Sequence, residues 1–114
     1  KYLVIKKGEH GALLFYEDQI FFAPGLPVAD VLDPTGAGDS FAGGMIGYLA
    51  QTDDISFSNM KTAIIYGSVM ASFCVEGFSL SKLKNLTQNE IYARIHQFEN
   101  LSTFDVKELT VLNS

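Results

Sequence analysis

At Gly36 the pattern of apolar residues changes, and that change limits what the chain can build. Upstream the apolar residues come in short runs: YLVIK at 2–6, ALLFY at 12–16 and IFFA at 20–23. Each run has the length and the β-branched or aromatic content of a strand, and the "KGEHG" between the first two has turn chemistry. Pro24, Gly25 and Pro27 end the third run, because Pro cannot donate to a ladder. A loop then leads to Val31 and Leu32, a last short extended piece. From Gly36 onward Phe41, Met45 and Leu49 fall at i, i+4 and i+8, with Ile46 beside them, which makes one helical stripe. The chain reads as strands first and helices after.

Three further features shape the helical part. Gly43, Gly44 and Gly47 fall inside the first helix, where each costs about 1 kcal/mol against Ala, so another backbone is expected to pack close on that side. After "QTDDIS" a second helix is expected over Phe57 to Val75; its "AIIYGSVMASFCV" is apolar nearly all round, which predicts burial between layers. Thr87 and Glu90 have capping-box spacing, and Leu86 with Ile91 makes the hydrophobic staple around them. Ile91, Ile95 and Phe98 then give a single apolar face, with His96 off it and solvated. The tail from Ser102 carries weak alternation only.

The 114 residues fit one domain, and the first of them is Lys1, directly before an apolar run, so a piece of a larger chain is expected. No apolar run approaches the roughly 20 residues that a membrane helix needs. A soluble chain without membrane partners is the expectation. The formal charge of −5, with only 8 Lys and Arg, argues against nucleic acid as a partner. Cys74 is the sole cysteine, which excludes an internal disulfide, fits a reducing cytoplasmic compartment and reads as a small buried hydrophobe.

The chemistry is concentrated in "VLDPTGAGDSF", residues 31–41. A strand end, a Gly-rich turn and a helix N-terminus make an anion site, because the first N–H groups of a helix lack internal partners and carry its positive dipole end. Gly36 and Gly38 let a ligand oxygen approach the backbone. A negative Asp39 beside such a site is explained if it must meet a hydroxyl: a carboxylate can take the alcohol proton while the N–H groups hold charge on a transferred phosphoryl. The alternative is a first-turn acid favoured by the helix dipole, with the glycines only closing a tight turn. No G-K-[ST] follows the glycines, so this is no Walker A loop, and the third Gly of a dinucleotide fingerprint is missing.

The stretch "DPTGAGDSFAGGMIGYL" resembles the C-terminal signature of the ribokinase-like (PfkB) carbohydrate and nucleoside kinases, D-x-T-G-A-G-D-x-F. "VIKKGEHGALLF" is similar to the strand and Gly turn that precede it in this family, and "YGSVMASFCVEGF" to the buried helix that follows, so the resemblance covers Tyr2 to Phe78. It implies an α/β fold: the C-terminal part of a ribokinase-like three-layer architecture, a mixed, mostly parallel sheet flanked by helices. On this resemblance residues 1–114 are the ATP-binding and catalytic-base segment, and the N-terminal substrate and lid part is absent.

Carried over residue by residue, Asp39 is the general base, and Gly36, Ala37 and Gly38 supply the anion hole. Lys6, Gly8 and Gly11 line the nucleotide side, Tyr66 and Gly67 lie near the adenine, and Asp33 with Thr35 resembles a monovalent-cation position. The implied cofactors are ATP and Mg²⁺, with K⁺ as a further candidate. The implied acceptor is a sugar, or alternatively a nucleoside. The isolated segment is expected to be inactive, and self-association into a homo-oligomer is compatible with it. A non-catalytic nucleotide-binding module is the contrasting reading.

Overall fold

The computed structural model describes residues 2–7, 11–25, 36–77, 82–83 and 85–102. Three strands come first: β1 (Tyr2–Lys6), β2 (Ala12–Tyr16) and β3 (Gln19–Ala23). Three helices follow: α1 (Ala37–Thr52), α2 (Phe57–Val75) and α3 (Gln88–Ser102). Val31, Leu32 and the tail beyond Ser102 lie outside the described residues.

The strands form an antiparallel meander in the order β1-β2-β3, with Val4 opposite Leu14 and Leu14 opposite Phe21. The short connections dictate this, since tight turns join only antiparallel neighbours. Gly11 makes the β1–β2 connection: its φ is +107°, its carbonyl accepts the Lys7 N–H at 2.7 Å, and a Cβ there would stand 2.2 Å from the Ala23 carbonyl oxygen. Of the expected mixed sheet between helices, the described residues supply an antiparallel part and one helical layer.

Side chains alternate across the sheet, and only one face meets the helices. Tyr2, Val4, Ala12, Leu14, Phe21 and Ala23 join Phe41, Met60 and Ile64 in the main core. The other face carries Leu3, Ile5, Ile20 and Phe22, which are 57%, 40%, 64% and 50% exposed. Phe41, Met45 and Leu49 bury their stripe as expected. Ile46 departs from the expectation: it is 60% exposed, because its place beside the stripe turns it off the contact face.

The three glycines of α1 also divide. Gly44 alone meets another backbone: a Cβ would stand 2.9 Å from the Tyr66 carbonyl oxygen and 3.2 Å from the Gly67 Cα. Around Gly43 and Gly47 there is open space, contrary to the expected close packing there.

α2 is the central helix and buries Met60, Ala63, Ile64, Gly67, Val69, Ser72 and Phe73. The capping box opens α3 as its spacing predicts: Glu90 accepts the Thr87 N–H at 3.0 Å, and the Thr87 hydroxyl accepts the Glu90 N–H at 3.1 Å. Leu86, Ile91, Ile95 and Phe98 then pack with Val69 and Phe73 in a second core. Arg94 ties the two helices, donating to Glu76 at 2.6 Å and to the buried Ser72 hydroxyl at 2.9 Å. His96 points away from this core and pairs with Glu99.

Candidate functional site

The Gly-rich turn has the conformation its chemistry requires. Gly36 is the N-cap of α1 with φ 84° and ψ −1°, a left-handed geometry that costs a residue with a Cβ roughly 1–2 kcal/mol. Having no side chain, it makes no capping bond. The first helical bond runs from the Ser40 N–H to the Gly36 carbonyl at 2.9 Å, so the N–H groups of Ala37, Gly38 and Asp39 stand outside the helical ladder. Asp39 is solvent-exposed in this first turn.

Two side chains from distant sequence complete the surroundings. Lys6, at the end of β1, places its Nζ 3.9 Å from where a Cβ on Gly38 would sit. The same Nζ stands 4.9 Å from the centroid of the Phe41 ring, within cation–π range. From α2, the Cys74 Sγ lies 3.8 Å from a Cβ built on Gly36, an ordinary contact distance. Cys74 is half-buried against the turn. The sequence reading missed the roles of Phe41 and Cys74 here, because both depend on residues more than 30 positions away.

The structure thus brings Lys6 to Gly38, in the first turn of the helix that carries Ala37 and Asp39 and is capped by Gly36. Gly11 sits in the hairpin connection, where its missing side chain admits the chain at 23–25. Tyr66 stacks on Tyr48 with ring centroids 4.5 Å apart. Tyr48 is nine residues past Asp39, about 13 Å along the helix. Burial, and then the neighbouring Tyr92 and Tyr48, hold the Tyr66 phenol above its ordinary pKa. Gly67 is buried at the helix crossing, where a Cβ would stand 2.7 Å from the Phe41 carbonyl oxygen. Gly8, Asp33 and Thr35 lie outside the described residues.

Among the described residues no three His, Cys, Asp or Glu side chains gather to hold a metal ion. No described helix is long and apolar enough to cross a membrane. A recess of about 500 Å³ lies at the far end of α1, lined by Tyr2, Tyr16, Phe57 and residues 53–56, and is not part of this turn.

Comparison with known proteins gives a consistent picture. The chain is 34% identical over 74 residues to a nucleoside kinase of Methanocaldococcus jannaschii, an alignment covering 65% of this chain and 23% of that protein. It is 31% identical over 80 residues to a 5-dehydro-2-deoxygluconokinase of Photobacterium profundum, covering 70% of this chain and 23% of that protein. The chain therefore spans about a quarter of the length of the curated relatives it matches. Among solved structures, aminoimidazole riboside kinase from Salmonella enterica, complexed with aminoimidazole riboside and an ATP analog, superposes with a TM-score of 0.69. That match has 26% identity and covers 90% of this chain and 32% of the other. A nucleoside kinase structure from Methanocaldococcus jannaschii, described as an archaeal member of the ribokinase family, superposes with a TM-score of 0.65 at 28% identity, covering 84% of this chain and 30% of the other. The sequence profile described as pfkB family carbohydrate kinase matches residues 1–86, three quarters of the chain, and with this shared fold it shows that the chain belongs to the pfkB family of carbohydrate kinases.

Proposed function

We propose that the protein carrying this chain transfers the γ-phosphoryl of ATP to a hydroxyl of a sugar, with Asp39 as general base. The observation that carries the reading is the meeting of three groups at one helix end: the uncapped N–H groups after Gly36, the Asp39 carboxylate and the Lys6 ammonium. The acceptor oxygen bonds to phosphorus as its proton passes to the Asp39 carboxylate, and the bond to the ADP oxygen breaks. The N–H groups of the turn hold the charge on the phosphoryl oxygens during transfer.

On this reading Lys6, Gly8 and Gly11 lie on the nucleotide side, and Tyr66 and Gly67 belong to the region facing the base. Asp33 and Thr35 are proposed to hold K⁺. Mg²⁺ would be held by acidic residues elsewhere in the full-length protein. The acceptor pocket is also proposed to lie elsewhere, so the isolated chain turns over no substrate. Family membership supports the kinase class over a module that only binds nucleotide. The nucleoside kinase relative at 34% identity favours a second acceptor class, a nucleoside.

The test is phosphoryl transfer by the full-length protein, with Mg-ATP and K⁺, against a panel of sugars and nucleosides. Asp39→Asn is expected to lower turnover by about 10² to 10⁴ while leaving ATP affinity largely intact. Equal turnover in the variant would sink the assignment. ATP binding with no acceptor consumed would favour the binding module.

A further inference from the structure

The ammonium of Lys6 is exposed on a four-carbon stem, and fixing such a side chain costs rotamer entropy. It nevertheless lies beside Gly38, over the face of one aromatic ring. That ring is itself fixed. Phe41 is 4% exposed, and a Cβ on Gly67 would stand 3.1 and 3.2 Å from its Cδ2 and Cε2 atoms.

An ammonium in this neighbourhood has a competing partner in Asp39, two residues before Phe41. Among the described residues Lys6 and Asp39 form no ion pair. This separation matters chemically, since a cation bound to Asp39 would compete with an acceptor hydroxyl for the carboxylate. An aromatic face attracts the ammonium without neutralising it and leaves its three N–H donors available.

We propose that Phe41 is a positioning residue: its ring holds the Lys6 ammonium beside the Gly36–Gly38 turn and away from Asp39, so that a full positive charge, together with the helix N–H groups, faces the phosphate of the nucleotide. The proposal rests on the kinase reading for the identity of the anion. Its core, a charge held by a ring at an anion-binding turn, can also be read from nucleotide affinity alone.

The experiment uses the full-length protein and measures both the Kd for ATP and kcat/KM at low and moderate salt. Lys6→Met is expected to weaken both by roughly ten- to a hundredfold, as for a lost charge-assisted contact, and to flatten the salt dependence; Lys6→Arg recovers most of the loss. Phe41→Leu is expected to cost on the order of two- to thirtyfold, the range of a cation–π contact, and to cost nothing further in the Lys6→Met background.

Because Phe41→Leu also alters the core, progressively fluorinated phenylalanines at position 41 provide a near-isosteric second series. ATP affinity should fall stepwise as the ring face loses electron density. A flat fluorination series, or an equal Phe41→Leu cost with and without Lys6, would overturn the positioning role. An unchanged Lys6→Met protein would overturn the charge itself. If wild-type protein binds ATP but phosphorylates no acceptor, the kinase reading fails while the ATP affinities still decide this proposal; if it binds no ATP, both fall.

Discussion

Gly44 of α1 and Gly67 of α2 meet backbone to backbone, with a Cβ built on Gly44 only 3.2 Å from the Gly67 Cα. Neither helix could approach so closely with a side chain at the crossing. Gly67→Ala would gain about 1 kcal/mol of helix propensity. It would also drive a methyl to 2.7 Å from the Phe41 carbonyl oxygen, a backbone atom that cannot turn aside. Overpacking of this kind costs about 1–3 kcal/mol, so the clash wins. The expected result is a lower urea midpoint for Gly67→Ala, with reduced kcat, because Phe41 lies two residues from Asp39.

Gly36 gives a different kind of prediction. There is room for a methyl, since the nearest atom is the Cys74 Sγ at 3.8 Å, but φ is +84°. The cost of Gly36→Ala is therefore conformational, about 1–2 kcal/mol. Gly36→Asn should be milder and Gly36→Val worse, in thermal melts and in ATP affinity alike. Equal behaviour of the three would show that the left-handed turn is not required.

Much of this was legible along the chain. The strand runs, the limits of α2 and the Thr87–Glu90 box are written in local spacing, and the structure places them where that spacing predicts. Ile46 was misjudged because periodicity reports a stripe and not its width, and Gly43 and Gly47 because the cost of a glycine in a helix does not say whether another backbone arrives beside it. The site divides in the same way. Gly36 to Asp39 are contiguous and announce themselves, whereas Lys6 over Phe41 and Cys74 behind Gly36 exist only once the hairpin and α2 close around α1.

Arg94 joins α3 to α2 through Ser72 and Glu76, and its guanidinium lies 4.1 Å from the Phe73 ring centroid. Its side chain is only 14% exposed, while that of Glu76 is 29% exposed. Arg94→Ala should destabilise the full-length protein by about 1–3 kcal/mol, nearer the lower figure because Glu76 regains water. Arg94→Lys should rescue it only in part, since one ammonium cannot reproduce the fork. Chemical denaturation of the three proteins checks this.

The α3 capping box should respond to acid. The Thr87 backbone N–H, and then its hydroxyl, hold the Glu90 carboxyl below its ordinary pKa. A depressed folded-state pKa means that the stabilisation is present above the ordinary glutamate range and is lost as pH falls through the lowered value. Wild-type stability should thus decline across that acidic window more steeply than that of Glu90→Gln, and the two should differ most near neutrality. Parallel slopes would show that the box does not bind its proton differently on folding.

The open sheet face predicts behaviour for the isolated 114-residue chain. Leu3, Ile5, Ile20 and Phe22 form an exposed apolar surface on a three-stranded sheet. The chain should bind a hydrophobic dye and associate at micromolar concentration, and Ile20→Lys with Phe22→Lys should diminish both. A monodisperse, dye-silent monomer by sedimentation would count against this account of the face.

β1 is fastened at both ends. At one end the Tyr2 hydroxyl donates to the Ile55 carbonyl in the α1–α2 loop; at the other, Lys6 reaches Gly38 at the beginning of α1. The strand therefore works as a ruler between the two ends of α1, four residue steps and about 13 Å from the Tyr2 Cα to the Lys6 Cα. Deleting one residue between these points would turn Lys6 to the opposite sheet face, beside Leu13 and Phe22, and deleting two would keep its facing but draw it back by about 7 Å. The charge at the turn is thus metered by the length of a strand that contributes no residue of its signature.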